Sequence, residues 1–273
     1  MVLEGGGRLV VLVTGGVHGL GRAVCRELAR SGCDVAVNYR ESADDARALC
    51  LELEAMGVRA RAVGADLADP AQAEALVAEV EEAWGRLDAL VCAAGPFHPR
   101  RVPVAAADRG AAAWREMAAA NVAGTVAAVA AALPGMRRRR FGRIVTFGMD
   151  GVGRAAPWPG RAAYAAAKAA LWSYTQSLAR EEAPHGITAN MVAPGNIVDP
   201  FKEGSIAQAR RAPPEAPRAP VGRPGSGEDV ARVVRFLLHP DSDFLTGNLV
   251  YVGGGEDVVG RPAAWPDGGT ADA

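Results

Sequence analysis

The 273-residue sequence predicts a single-domain, doubly wound α/β fold, a parallel sheet covered by helices on both faces. Three observations carry that expectation. Short apolar runs of strand length alternate with longer runs of helical period. The first strand, residues 9–13, is continuously apolar, as a strand buried on both faces must be. It then passes through a glycine-rich loop directly into a helix.

The elements follow in order. Strand 9–13 runs into Thr14-Gly15-Gly16-Val17-His18-Gly19-Leu20-Gly21, and Leu20, Val24 and Leu28 recur at helical spacing until Ser31-Gly32. A glycine loop between a strand and a helix is the context of a dinucleotide site. Gly15 permits the tight turn, Gly19 lets backbone approach a pyrophosphate, and Gly21 lets helix and strand pack closely. The helix end supplies N–H donors and a positive dipole end for phosphate. Asp34–Tyr39 reads as the second strand. Folds of this kind that take NAD usually place an acid at its end for the ribose 2′-hydroxyl. Here the strand ends Asn38-Tyr39-Arg40. Arg40 suits a 2′-phosphate and His18 can assist, so NADP(H) is favoured over NAD(H). A helix over 42–56, a strand over 60–64 followed by Asp66-Leu67, a helix over 71–84 and a strand over 88–92 continue the βα alternation.

Tyr164 and Lys168 lie four residues apart and share one face of a helix. A phenol titrates near ~10, and a cation within about 4–6 Å lowers that value and makes a proton donor of it. Lys168 and Lys202 are the only lysines in an arginine-rich chain, which points to a need for a compact ammonium at Lys168.

Bulk composition narrows the classes. A net charge of −1 argues against nucleic-acid binding driven by bulk electrostatics. Cys25, Cys33, Cys50 and Cys92 have no metal-ligand spacing, and no secretory segment precedes them. Reduced thiols in a cytoplasmic protein are expected, with no metal site. No apolar run of membrane-spanning length is expected either.

With Cys92-Ala93-Ala94-Gly95 added, the chain resembles the short-chain dehydrogenase/reductases over nearly its whole length. Thr14–Gly21 matches that family's TGxxxGxG. Asp66-Leu67 resembles its adenine contact. Cys92–Gly95 takes the place of an Asn-Asn-Ala-Gly turn, losing two asparagines while keeping Ala94-Gly95 against the cofactor. Asn121 falls at its active-site asparagine, Tyr164 and Lys168 are its YxxxK, and Pro194-Gly195-Asn196-Ile197 resembles its nicotinamide loop. The resemblance implies a seven-stranded Rossmann sheet of order 3-2-1-4-5-6-7, spanning residues 1–255, with a flexible tail over 256–273. It also implies a homotetramer or homodimer.

The chemistry implied is hydride transfer between a nicotinamide and a carbonyl carbon, with Tyr164 as the acid. Lys168 would lower its pKa and hold the nicotinamide ribose, and Asn121 would hold a water linking Lys168 to solvent. The family's carbonyl-orienting serine is absent. Anchored on the fifth strand its place falls to Met149; counted back from Tyr164 it falls to Gly151, because the loop with Pro157-Trp158-Pro159-Gly160 is about two residues longer. Asp150 lies between them and could donate a hydrogen bond if protonated. Asp199 replaces a threonine often found after Ile197, and its charge is expected to point away from the diphosphate.

Residues 198–221 are expected to form a substrate lid, opening with one short amphipathic helix at Phe201–Ile206. The segments around Asn190–Val198, Phe201-Lys202-Glu203 and Gly222–Asp229 resemble the reductases of a 5-aminopentanone group on elongation factor P. They are also similar to 3-oxoacyl-[acyl-carrier-protein] reductases. A small carbonyl, or a ketone borne on elongation factor P or acyl carrier protein, is therefore the expected substrate, and a non-catalytic NADP(H) sensor is the alternative. The Arg137–Arg140 run reads as a solvated helix end or a docking patch for an acidic partner.

Overall fold

The computed structural model describes Met1, residues 6–95 and residues 107–256. Its strands are β1 (Val10–Thr14), β2 (Asp34–Tyr39), β3 (Ala60–Gly64), β4 (Ala89–Cys92), β5 (Gly142–Phe147), β6 (Ile187–Pro194) and β7 (Leu249–Val252). They form one parallel sheet in the order β3-β2-β1-β4-β5-β6-β7, as the sequence predicts. Between them run α1 (Gly19–Arg30), α2 (Ala43–Glu54), α3 (Pro70–Trp84), α4 (Ala107–Ala118), α5 (Gly124–Arg139), α6 (Ala162–Glu182), α7 (Ile206–Arg210) and α8 (Gly227–Leu238).

The period of two along each strand divides the core. Val11, Val13, Val35 and Val91 face the layer holding Val24 and Leu28 of α1 and Val230 and Val234 of α8. Val10, Leu12, Leu90 and Ile144 face the opposite layer, with Leu76 and Val80 of α3 and Ala128 and Ala132 of α5. Both faces are therefore dry, which is why β1 reads as an unbroken apolar run. The strand order reverses between β1 and β4, and the crevice beyond their carboxyl ends is where such sheets bind ligands.

Local signals set the helix ends. Asp69 accepts a hydrogen bond from Ala71 N–H at the start of α3, Pro70 takes the first position, and Gly85 closes the helix at φ +74°. Ser226 and Asp229 form a capping box on α8, and Asp229 also takes a bidentate pair from Arg223 at 2.7 Å. Between α4 and α5 the turn Ala119–Ala123 is π-helical. Such widened turns recur at functional sites, and this one carries Asn121.

Three expectations need correction. The segment Trp114–Arg139 is long and apolar enough to cross a membrane by length and composition, contrary to the expectation of no such run. In that segment α5 lies against α3 and the sheet as a core helix. The lid opens not with one helix but with a 3-10 turn, Phe201–Glu203, and then α7. Gly204, at ψ 160°, breaks the first, and a Ser205–Gln208 capping box starts the second. The arginine run is largely structural: Arg137 pairs with buried Glu182 at 2.8 Å, Arg139 binds the Leu87 carbonyl, and Arg140 donates to the Pro184 carbonyl at 2.9 Å. These contacts tie the end of α5 to its neighbours, while Arg137, Arg138 and Arg140 stay exposed, as a solvated helix end would. The predicted tail lies outside the described residues beyond Glu256.

Candidate active site

The glycine loop is held from three sides. Gly15 N–H donates to Asn38 Oδ1 at 3.1 Å, and Asn38 Nδ2 donates to the Ala65 carbonyl at 3.1 Å. Asn38, at the place where an acid is common, is thus committed to joining the ends of β1, β2 and β3. Thr14 Oγ1 accepts from Ala94 N–H at 3.1 Å and lies 3.4 Å from the Val91 carbonyl. That hydroxyl braces the segment at Cys92–Gly95, where the sequence lacks the family's asparagines. Gly19 N–H donates to Glu203 Oε1 at 2.8 Å, and Arg22 flanks the same carboxylate at 3.7 Å, so the segment after β6 is tied to the start of α1.

Close approach explains two of these glycines. A Cβ on Gly15 would lie 2.9 Å from the Ala94 Cα, and one on Gly21 would overlap the Gly15 carbonyl. On one side of this loop lies a cavity of about 470 Å³, lined by Gly15, His18, Asn38, Arg40, Ser42, Asp66, Leu67, Ala94 and Gly95. Asp66 is fixed by accepting from Ala68 N–H at 2.9 Å. His18 Nε2 lies 3.1 Å from Ser42 Oγ. Arg40 is 62% exposed at the rim, where it pairs with Glu41 at 3.0 Å.

On the other side a cavity of about 510 Å³ is lined by Leu20, Gly21, Gly95, Met149, Asp150, Trp158, Arg161, Tyr164, Lys168, Pro194, Gly195 and Ile197. Gly15, His18 and Gly95 line both. The nicotinamide-type loop is anchored by Gly195 N–H donating to the Val252 carbonyl at 3.0 Å. Lys168 is almost fully buried and donates to the Phe147 carbonyl at 2.8 Å, and its Nζ stands 5.7 Å from the centre of the Tyr164 ring. Asn121 is fully buried behind Gly95, and its Oδ1 has no hydrogen-bond partner among the described residues. A Cβ on Gly95 would overlap that oxygen and lie 3.4 Å from Lys168 Nζ, so the bare glycine keeps Asn121, Lys168 and the cavity in contact. An orphaned buried acceptor at this place fits a water or a ligand hydroxyl.

Burial dominates the titrations. It pushes Tyr164 up to about 12, and the cation that works against this is Arg161. It pushes Lys168 down to about 8, with Cys92 opposing. The expectation that Lys168 brings the phenol down is not met in this geometry. The desolvation of the phenolate outweighs the charges around it. Met149 is buried among Val152, Leu171 and Met191 and forms an apolar wall where the sequence count places a serine. Gly151 does not line the cavity, whereas Asp150 does. Asp199 turns away and pairs with Lys202 at 2.9 Å.

A substrate carbonyl and a nicotinamide dinucleotide fit this double cavity. The 470 Å³ arm offers a stacking slot, a fixed carboxylate and a rim arginine, and the 510 Å³ arm offers a phenol beside a buried ammonium.

The family model described as enoyl-(acyl carrier protein) reductase matches residues 15–256. An oxidoreductase of Bacillus subtilis is 37% identical over 92% of this chain and 97% of its own length. A 3-oxoacyl-[acyl-carrier-protein] reductase of Staphylococcus aureus is 35% identical, covering 89% of this chain and 96% of that one. Among solved structures, the acetoin dehydrogenase YohF of Salmonella typhimurium superposes with a TM-score of 0.82 at 29% identity, covering 93% and 98% of the two chains. A blue fluorescent protein from a metagenomic library, in complex with NADPH, gives 0.75 at 34% identity over 90% and 97%. The fold, the motif order and these matches agree: the chain belongs to the short-chain dehydrogenase/reductase family of oxidoreductases.

The structure draws most of the sequence-selected residues into the two arms. Thr14, Gly19 and Asn121 do not line them; Thr14 and Asn121 act from behind, and Gly19 faces Glu203. Sequence reasoning missed Asn38 as a brace, Ser42 beside His18, Glu203 on the glycine loop, and the Trp158–Arg161 pair. A buried polar residue in an apolar strand could have flagged Asn38. Nothing local in the sequence marks Glu203, because its partner lies 184 positions away.

Proposed function

We propose that this protein is an NADPH-dependent ketone reductase. The observation that carries the reading is the convergence of Tyr164 and Lys168 on one cavity that meets the glycine-loop cleft at Gly95, with Asn121 buried directly behind that glycine. Bound there, a nicotinamide supplies hydride for the carbonyl carbon. Tyr164 gives its phenolic proton to the carbonyl oxygen, and Lys168 would hold the ribose hydroxyls. Asn121 holds a water that returns a proton from solvent. The glycine loop and the start of α1 take the diphosphate, Ala94 and Gly95 border the cofactor, and Pro194, Gly195 and Ile197 close over the nicotinamide.

Preference for the 2′-phosphate rests on Arg40, with His18 and Ser42 at the same rim and Asn38 occupying the acid's usual place. As substrate we propose a ketone on a protein side chain, the 5-aminopentanone group of modified elongation factor P. Support comes from the lid sequence and from the missing serine, for which a fatty-acid reductase has no evident reason. The 3-oxoacyl reductase named among the relatives keeps a carrier-protein substrate as the second reading. NADPH oxidation measured against modified elongation factor P, acetoacetyl thioesters and plain ketones tests this. Turnover on the first well above the others is expected; turnover only on thioesters selects the second reading. No turnover, with NADPH bound, would make the protein a sensor.

A further inference from the structure

In the loop after β5, Trp158 and Arg161 form a stack against the proposed acid. Trp158-Pro159-Gly160-Arg161 is a tight turn: Arg161 N–H donates to the Trp158 carbonyl at 2.9 Å, and Gly160 adopts φ +75°. Proline in the second place and a left-handed glycine in the third are the residue choices of a type II turn. The turn ends on the N-cap of α6, where the Arg161 carbonyl accepts from Ala165 N–H at 2.9 Å. Its geometry lays the Arg161 guanidinium over the Trp158 ring, 5.3 Å from the centroid. Trp158 in turn meets the Tyr164 ring edge to face, with centroids 6.1 Å apart at 71°. All three side chains line the 510 Å³ cavity.

Resting on the reading of Tyr164 as general acid, we propose that Arg161 is its positioning residue, seated by the Trp158–Arg161 turn where the family would use a serine. Trp158 fixes the tilt of the Tyr164 ring, and the guanidinium stabilises the phenolate that proton transfer leaves behind. The step balances simply. The carbonyl carbon accepts hydride, the π pair moves to oxygen, and oxygen takes the Tyr164 proton. The negative charge then resides on the Tyr164 oxygen until solvent reprotonates it.

Among the described residues, the charged or titratable groups facing Tyr164 are few. Lys168 lies one turn along α6, and Arg161 begins the helix. Asp150 comes from the loop after β5 and lines the same cavity. His18 and Lys202 lie across the cavity, the latter paired with Asp199. Of the cations, Arg161 is the one that works against the burial of the phenol. The Trp158–Arg161 turn therefore brings a charge to the cavity wall beside Tyr164.

The test is the pH profile of alcohol oxidation by the cofactor-loaded enzyme, where the Tyr164 phenolate is the base and rate rises through its pKa. In Arg161→Gln the rise should move to higher pH by about 0.5–1 unit, since one charge several ångströms away is lost. kcat should fall at neutral pH with KM little changed, and Arg161→Lys should restore the profile. Arg161→Met, which keeps the aliphatic stem, serves if the glutamine variant folds poorly. A profile that stays in place in both neutral variants overturns the proposal, and so does a rise in KM alone, which would make Arg161 a substrate contact. Tyr164→Phe is measured alongside. If it retains turnover, the general-acid reading itself has failed; if it loses turnover while the neutral variants do not shift, only the role of Arg161 has.

Discussion

The two arms of the cleft are built by different means. At the cofactor end the fit depends on missing atoms: Gly15, Gly21 and Gly95 let backbone and buried side chains approach where a single methyl would collide. At the substrate end it depends on side chains brought from far apart in the chain, with Met149, Asp150 and the Trp158–Arg161 turn facing the lid base. The first arm is steric and backbone-based, so it tolerates little change and leaves a plain mark in the sequence. The second is made of replaceable groups, among them an apolar wall at Met149 and an arginine stacked on Trp158.

That contrast is broken most easily by adding one methyl at the cofactor end. Gly21→Ala must push against the Gly15 carbonyl, and overpacking of this kind costs about 1–3 kcal/mol, which if carried into the cofactor loop is roughly 5–150-fold in NADPH affinity. Fluorescence titration of NADPH reads this directly. At the rim, Arg40→Ala should lower the NADPH-to-NADH ratio of kcat/KM by about tenfold, one solvent-screened charged contact. A ratio that does not move would place the 2′-phosphate elsewhere.

Lys168 gives a prediction in stability. Its folded pKa, about 8, lies below that of an unfolded lysine, about 10.4, so below pH ~8 burying the charge costs stability. Between those values the unfolded chain binds more protons, and the cost fades as pH rises. In protein without added cofactor, Lys168→Met should therefore raise Tm by about 2–4 °C at pH 7, with the gain shrinking toward pH 10. Differential scanning at several pH values checks both sign and trend. The smallest effect is expected at the substrate end: Asp150→Ala should lower kcat by less than about threefold, well short of the loss of a general acid. A loss of a hundredfold there would return Asp150 to the place of the serine.

Much of the fold was legible because each strand at the centre is dry on both faces and each helix end carries its own signal, as at Asp69-Pro70 and Gly85. The glycine loop and the Tyr164–Lys168 pair were legible because their spacing is local. Arg161 was not, although the Pro159-Gly160 turn that seats it is written beside it. Whether that turn faces the acid depends on how the loop after β5 folds back on α6. Glu203 and Asn38 were hidden for the same reason: their partners are close only after the sheet is assembled. The expected effect of Lys168 on Tyr164 went astray because spacing gives proximity but not desolvation, and here burial is the larger influence on both groups.

The central claim, that Tyr164 delivers the proton in a cleft that holds NADPH, is tested most directly by single-turnover oxidation of bound NADPH in Tyr164→Phe. Loss of one ring hydroxyl should leave NADPH affinity within about twofold and slow the turnover by about a hundred- to ten-thousand-fold. Turnover at the wild-type rate with NADPH fully bound would contradict it.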